Sequence, residues 1–292
     1  MSSYVVNVST ADIDSDSGPE AAPPLSRQDR HNQGVWSTRT AQRDLDYNQD
    51  YTDPGERSAL AFVTPEVRGR PILDIGVGRG RTIPLLKPLT TDYRAIDYMP
   101  QMVAVSRNRF PSTNITLDDA RVLTSAPSAH FGLVQFSYNG IDAVSAEDRP
   151  RVLTAVRRAL VPGGMFLFST LNLHGPALRK RPWHLTLPQG VGPLRFGVRF
   201  ARSLVWTPVH VANWLTLKPH ERAGQGYVVA PLDAHHWGIV AHYTTIERQL
   251  DELERAGFSR DAVVFDSGRG HRVQLGDDMS AFDWFHIIAR RL

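Results

Sequence analysis

The chain has 292 residues, 41% hydrophobic and 22% charged, which is the balance of an ordinary globular protein large enough to bury a substantial core. It contains no cysteine, so disulfides, thiol nucleophiles and thiolate metal sites are excluded together. The formal net charge of +3 is unevenly spread: residues 174–236 hold eight basic and two acidic side chains, +6 in all, and the remainder is −3.

In chain order, residues 1–30 are polar, proline-bearing and without period, and are expected to be a disordered tail. The N-terminus has no basic stretch leading into an apolar run, and no apolar run reaches the length of a membrane span. The expectation is a cytoplasmic protein. From residue 71 short β-like runs alternate with helical ones. "PILDI", "YRAID" (93–97), "NITLD" (114–118), "FGLVQF" (131–136) and "GMFLFST" (164–170) read as strands, with "PQMVAVSRNR" and "RPRVLTAVRRAL" as crossover helices. The alternation breaks over 174–236 and resumes at "HYTTIERQLDELERAGF", where Thr244 and Glu247 have capping-box spacing. "AVVFD" and "FDWFHIIARRL" read as closing strands.

Gly76, Gly78 and Gly80 follow the first strand directly, with Asp74 two residues ahead of them. Glycines there let backbone approach a ligand closely. The Gly-x-Gly-x-Gly spacing is one residue tighter than the dinucleotide form, which suits a ligand without phosphate. Asp97 ends the second strand 21 residues beyond Gly76, where an acid can accept both hydroxyls of a ribose. Asp118, Asp119 and Ala120 end the third, where a carboxylate and an amide can meet an adenine edge.

With these residues in order, the sequence resembles the class I S-adenosylmethionine-dependent methyltransferases: "LDIGVGRGRT", "AIDYMPQMV", "LDDARVL" and "ALVPGGMFLFST" are similar to the family's motifs. The resemblance implies an α/β, Rossmann-like, seven-stranded, mostly parallel sheet over residues 31–292. Residues 174–236 would be inserted as a largely helical substrate cap. It implies S-adenosylmethionine as cofactor, S-adenosylhomocysteine as product, and no metal. Carried over residue by residue, Gly76 and Gly78 would meet the methionine part of the cofactor, with Asp74 and Gly80 completing the loop. Asp97 would bind the ribose, Tyr98 or Met99 pack on the adenine, and Asp119 with Ala120 meet its polar edge. Tyr47 and Tyr51 would cover the pocket.

For the acceptor, "FSYNGID" stands after the fourth strand where enzymes that methylate nitrogens of bases or of glutamine carry Asn/Asp-Pro-Pro-aromatic, which favours oxygen. Asn139 and Asp142 occupy the ligand-binding end of that strand. Asn172 and His174 follow the fifth, and His235, His236 and His242 return the chain to the same rim. Of these, Asn139, Asp142, His174, His235 and His236 are the candidate catalytic groups. In a strand, adjacent His235 and His236 would point to opposite sides and could not easily chelate one metal. Arg195, Arg199 and Arg202 fall at helical spacing in an aromatic-rich stretch and are the candidate anchors for an acidic or lipid-like acceptor. The same stretch could rest on anionic lipid as a peripheral membrane contact. RNA methylation and a non-catalytic cofactor-binding regulator stay open as alternatives, and no separate nucleic-acid module stands beside the domain.

Overall fold

The computed structural model describes residues 22–41, 43, 51–183 and 193–292. The apolar runs become adjacent strands because helices cover both faces of the sheet they form. Strands β1 (Ile72–Ile75), β2 (Tyr93–Asp97), β3 (Asn114–Leu117), β4 (Phe131–Phe136) and β5 (Leu160–Asn172) run parallel in the spatial order β3-β2-β1-β4-β5. The strand order reverses between β1 and β4, the switch point at which open α/β sheets bind ligands.

Period-two alternation divides the core. Leu73, Ile75, Val134, Phe136, Phe166 and Phe168 face one side, against helices α5 (Arg149–Ala159) and α7 (Ile246–Arg255). Ile72, Leu133, Met165 and Leu167 face the other, against α2 (Pro54–Val67) and α4 (Pro100–Arg109). A short α3 (Ile83–Leu86) follows the glycine loop.

Insertion residues form α6 (Pro193–Leu217) and the strands β6 (Arg222–Gly224) and β7 (Tyr227–Leu232). β8 (Ile239–Thr244) then pairs antiparallel with β7 and parallel with the last residues of β5, so the insertion is joined to the main sheet by backbone hydrogen bonds. Residues 193–232 thus form a long helix and two strands, where a largely helical segment is expected. β9 (Val263–Asp266), the two-residue β10 (Arg272–Val273) and β11 (Trp284–Arg290) complete the sheet, with β11 antiparallel to both β5 and β9.

Two local expectations are corrected. Thr244 ends β8, and it is Thr245 whose side chain accepts the Arg248 amide and starts α7. Helix α1 (Arg27–Trp36) begins inside the span read as a tail. Ser26 and Asp29 form its capping box, and the Pro23 and Pro24 carbonyls accept from Arg121. Among the described residues no helix is long and apolar enough to cross a membrane.

Candidate functional site

A cavity of about 390 Å³ runs across the C-terminal ends of the parallel strands, from the β3 turn past β2, β1 and β4 to β5. Its floor is the strand-end loops and its roof is α1 with the turn between β7 and β8. That size, and a largely apolar wall with a few convergent polar groups, are those of a small-molecule site.

Gly76 and Gly78 line the cavity in left-handed conformations, with φ of 65° and 55°. A Cβ on Gly76 would stand 2.8 Å from the Phe136 ring, so no larger residue fits there without a shift. Asp97 ties this loop to the next strand: its Oδ2 accepts the Gly78 amide at 2.8 Å and its Oδ1 the Met99 amide at 2.9 Å. Burial pushes the Asp97 carboxyl up to about 6, against the pull of those amides.

The other two members of the motif face elsewhere. Gly80 (φ 93°) is a packing position, where a Cβ would collide with Phe110 at 2.4 Å. Asp74 shares the face of Ile72, beneath the loop and outside the cavity lining. Its Oδ2 accepts from the Thr82 hydroxyl and, at 2.6 Å, from Tyr93, and burial raises it to about 6.

Beyond β3, Asp119 and Ala120 line the far end. The Asp119 carboxylate is gripped by Arg121, 2.7 Å from Nη2 to Oδ2. Tyr98 and Met99 line the adjoining wall, and Trp36 of α1 packs edge-on against Tyr98 with ring centroids 6.3 Å apart. Leu25, Asp29 and Trp36 are cavity residues that the sequence does not single out; Leu25 and Asp29 fall in the span expected to be tail. Of the expected cover residues, Tyr47 lies outside the described residues. Tyr51 is exposed, packs edge-on to Tyr138 at 6.2 Å, and is not part of the lining.

The opposite end is built by the β4 loop. Tyr138 and Asn139 are both left-handed, with φ of 53° and 58°, and the Asn139 amide is anchored on Ser169 Oγ at 2.7 Å. Asn139 lines the cavity and its buried Oδ1 has no hydrogen-bond partner among the described residues. Arg81 braces this loop, bonding both Glu56 oxygens (2.6 and 2.7 Å), Ser137 Oγ (2.9 Å) and the Tyr51 carbonyl (2.7 Å). Facing it are Trp284, whose Nε1 donates to Asp53 at 3.1 Å, and Lys180, 2.8 Å from Asp233 and 3.8 Å from Asp283. None of these was singled out as a site residue from sequence.

Three of the five candidate catalytic residues, Asp142, His174 and His236, lie outside the cavity lining. Asp142 is fully buried under the rim and outside the lining, its oxygens taken by Arg149 Nη1 (2.8 Å), Thr170 Oγ1 (2.7 Å) and the Leu171 amide (2.6 Å). It is a structural ion-pair residue. His174 is exposed, away from the cavity, and Asn172 spends its amide on the Met279 and Phe282 carbonyls. His235 and His236 lie in a turn, where a strand was considered. His235, His236 and Trp237 are successively left-handed, with φ of 49°, 58° and 62°. Left-handed backbone costs an L-residue about 1–2 kcal/mol, so packing must hold this turn. His236 points into α6: its Nδ1 meets His210 Nε2 at 2.9 Å, its ring stacks on Trp206 at 4.3 Å, and Asn213 donates to its carbonyl. His235 lines the cavity. His242 is buried against Tyr227, and burial pushes it down to about 2, so it is neutral.

Arg195, Arg199 and Arg202 fall within α6, but their side chains lie outside what the structure describes. Among the described residues no group of three or more His, Asp or Glu side chains could hold a metal ion.

Residues 72–164 match the sequence model of a methyltransferase domain. No curated protein matches the chain. Among solved structures it is similar to an S-adenosylmethionine-dependent methyltransferase from Mesorhizobium loti, 23% identical over 82% of this chain and 98% of that one, with a TM-score of 0.53. It is also similar to 1,6-didemethyltoxoflavin-N1-methyltransferase from Burkholderia thailandensis, solved with 1,6-didemethyltoxoflavin and S-adenosylhomocysteine bound. There the identity is 12% over 96% and 98% of the two chains, with a TM-score of 0.55. A TehB-like methyltransferase from Corynebacterium glutamicum is 14% identical over 90% and 100%, with a TM-score of 0.51. At these identities the likeness is one of fold.

Proposed function

We propose, from the match of residues 72–164 to a methyltransferase domain, that this protein is a class I S-adenosylmethionine-dependent methyltransferase that transfers the cofactor's methyl group to a small-molecule acceptor and releases S-adenosylhomocysteine. The observation that carries this reading is the joint at Asp97. One carboxylate holds the glycine loop through Gly78 while lining the cavity, as a ribose-binding acid must.

The residues present fit the cofactor. Gly76 and Gly78 offer backbone without side chains, Asp97 a carboxylate for the ribose hydroxyls, Tyr98 and Met99 the adenine wall, and Asp119 with Ala120 its polar edge. When bound, S-adenosylmethionine supplies a methyl group already activated as a sulfonium. The protein's own part is then to align the acceptor, exclude water and, for a hydroxyl, take a proton.

Oxygen is the favoured acceptor atom, since the β4 loop reads Ser137-Tyr138-Asn139-Gly140 with no Pro-Pro pair. His235 is the base candidate that lines the acceptor end, and the unpartnered Asn139 Oδ1 can accept a donor hydrogen from the acceptor. Lys180, with Arg195, Arg199 and Arg202 as the remaining cationic candidates, suits an acceptor that carries an acidic group or a lipid-like body.

Isothermal titration with S-adenosylmethionine, S-adenosylhomocysteine and NAD tests the cofactor. Both adenosyl compounds should bind and NAD should not; the reverse sinks the reading. A screen of carboxylic, phenolic and lipid acceptors by labelled-methyl release then tests turnover. With an acceptor in hand, His235→Asn keeps a residue that tolerates left-handed backbone and removes the base. It should lower kcat by about 100-fold or more while cofactor affinity changes by less than about twofold. An unchanged kcat would remove His235 from the chemistry.

A further inference from the structure

The acceptor end of the cavity is walled by aromatic rings that the fold holds in place. Between the glycine loop and the β4 loop lies the Phe136 ring, and a Cβ on either Gly76 or Gly140 would collide with it. Tyr138 and Trp284 line the same end, edge-on to one another with ring centroids 6.5 Å apart and planes at 63°.

Groups behind the lining fix both of these rings. Trp284 Nε1 donates to Asp53 Oδ2 at 3.1 Å, and Asp53 is itself buried, with its Oδ1 accepting the Glu56 amide at 2.8 Å and standing 2.9 Å from His286 Nε2. Tyr138 is held left-handed at φ 53°, a conformation uncommon for a bulky side chain and characteristic of functional sites. The Arg81 guanidinium stands 5.4 Å from its ring centroid and Tyr51 packs on its edge, yet the residue stays 43% exposed at the rim. Walls fixed before binding lower the cost of ordering a ligand against them.

Two rigid rings set at an angle suit a flat ring, which can meet one by its face and the other by its edge. A flexible acyl chain gains nothing from that geometry. Size points the same way. Small-molecule pockets span about 300–1,000 Å³, and this cavity of about 390 Å³ must take the cofactor as well as the acceptor. We infer that the acceptor is a compact hydroxylated aromatic compound, bound with its ring against Trp284 and Tyr138. The inference rests on the reading of this cavity as a methyl-transfer site and narrows the acceptor class; Asn139, His235 and Lys180, which line the same end, address the ring's substituents.

The test is ligand-observed NMR titration of the full chain, with and without S-adenosylhomocysteine, using matched pairs. These are phenol and cyclohexanol, catechol and 1,2-cyclohexanediol, and 4-hydroxybenzoate and 4-hydroxycyclohexanecarboxylate, with octanoate as the acyl probe. The aromatic members should bind at least about fivefold more tightly than their saturated partners, the gain of one well-placed ring contact. Tyr138→Asn removes a ring and keeps a residue that tolerates left-handed backbone, and Trp284→Leu keeps apolar bulk without a ring. Each should remove most of the preference, Trp284→Phe should keep it, and all three should bind S-adenosylhomocysteine within about threefold of wild type. Equal affinity within the pairs, octanoate binding more tightly than every aromatic, or an unchanged preference in both ring-removing variants overturns the inference. Failure of S-adenosylhomocysteine to bind wild type is a separate result: it sinks the cofactor reading, and the pairs measured without it still decide whether the rings select an aromatic ligand.

Discussion

Asp97→Ala is expected to weaken S-adenosylmethionine binding by about a hundredfold or more. The carboxylate makes two charge-assisted bonds to backbone amides, Gly78 and Met99, and it lines the cavity where the ribose would lie. Hydrogen bonds to charged groups are worth about 1.5–3 kcal/mol each, so losing two donors' worth at the ribose amounts to roughly 3 kcal/mol. The loop would also lose its tether, which adds to the deficit. Isothermal titration checks the size, and an affinity within threefold of wild type would refute the assigned role.

The same residue predicts a pH dependence. Its carboxyl titrates at about 6 when buried, up from 3.8, because burial disfavours the charge. The ionised form is the one that accepts from ribose hydroxyls, so affinity should fall about tenfold per pH unit below 6 and be level above it. Asp97→Asn should bind weakly at every pH and lose that slope.

Arg149→Ala is expected to cost about 3–5 kcal/mol of stability, because it strands Asp142 as an unpaired buried charge. Arg149 is among the most buried side chains of the molecule. It reaches Asp142 at 2.8 Å, the Ile141 carbonyl at 3.1 Å and Gln249 Oε1 at 2.6 Å. A thermal midpoint lower by roughly 6–15 °C is the corresponding observation. Burial already lifts Asp142 to about 6, and removing the guanidinium lifts it further. A carboxylate whose folded-state pKa is raised adds most stability below its unfolded value near 3.8 and loses it as pH rises through the folded one. The defect should therefore be larger at pH 8 than at pH 5. A defect that grows on acidification would show that Asp142 is not the stranded group.

The strands of the parallel sheet were legible because runs buried on both faces leave a nearly continuous apolar signature. The place of Asp97 at the cavity was legible because an acid that ends the strand next to a glycine-rich loop stands where the loop's amides can reach it. Asp74 and Gly80 belong to the same motif yet serve packing. Alternation along β1 already places Asp74 on the face of Ile72, the signal that could have separated it. Asp142 sits one 3₁₀ turn past the rim, and that turn, Gly140–Ala143, carries it down to Arg149. Nothing local announces this, since the partner lies seven residues on in another helix.

Trp284, Asp283, Lys180 and Asp233 reach the cavity from distant segments. The antiparallel course of β11 puts Trp284 opposite Leu171 at the end of β5, and only the finished sheet reveals that. The left-handed run from His235 to Trp237 contradicts local propensity outright, and no sequence rule would have drawn it.

The pairing of β8 with β5 bears on how substrate gets in. Tyr227–Leu232 is zipped along its whole length to Ile239–Thr244, and Tyr243 and Thr244 are in turn paired to Leu171 and Asn172 of the catalytic sheet. The strand layer beside the acceptor end is thus a fixed wall that cannot swing as a hinged lid without breaking the sheet. Traffic must pass on the side of α1, whose Asp29 and Trp36 cover the site through their side chains. Amide hydrogen exchange should accordingly be slow in β7 and β8 and faster in α1, and occupancy by cofactor should slow the latter far more than the former.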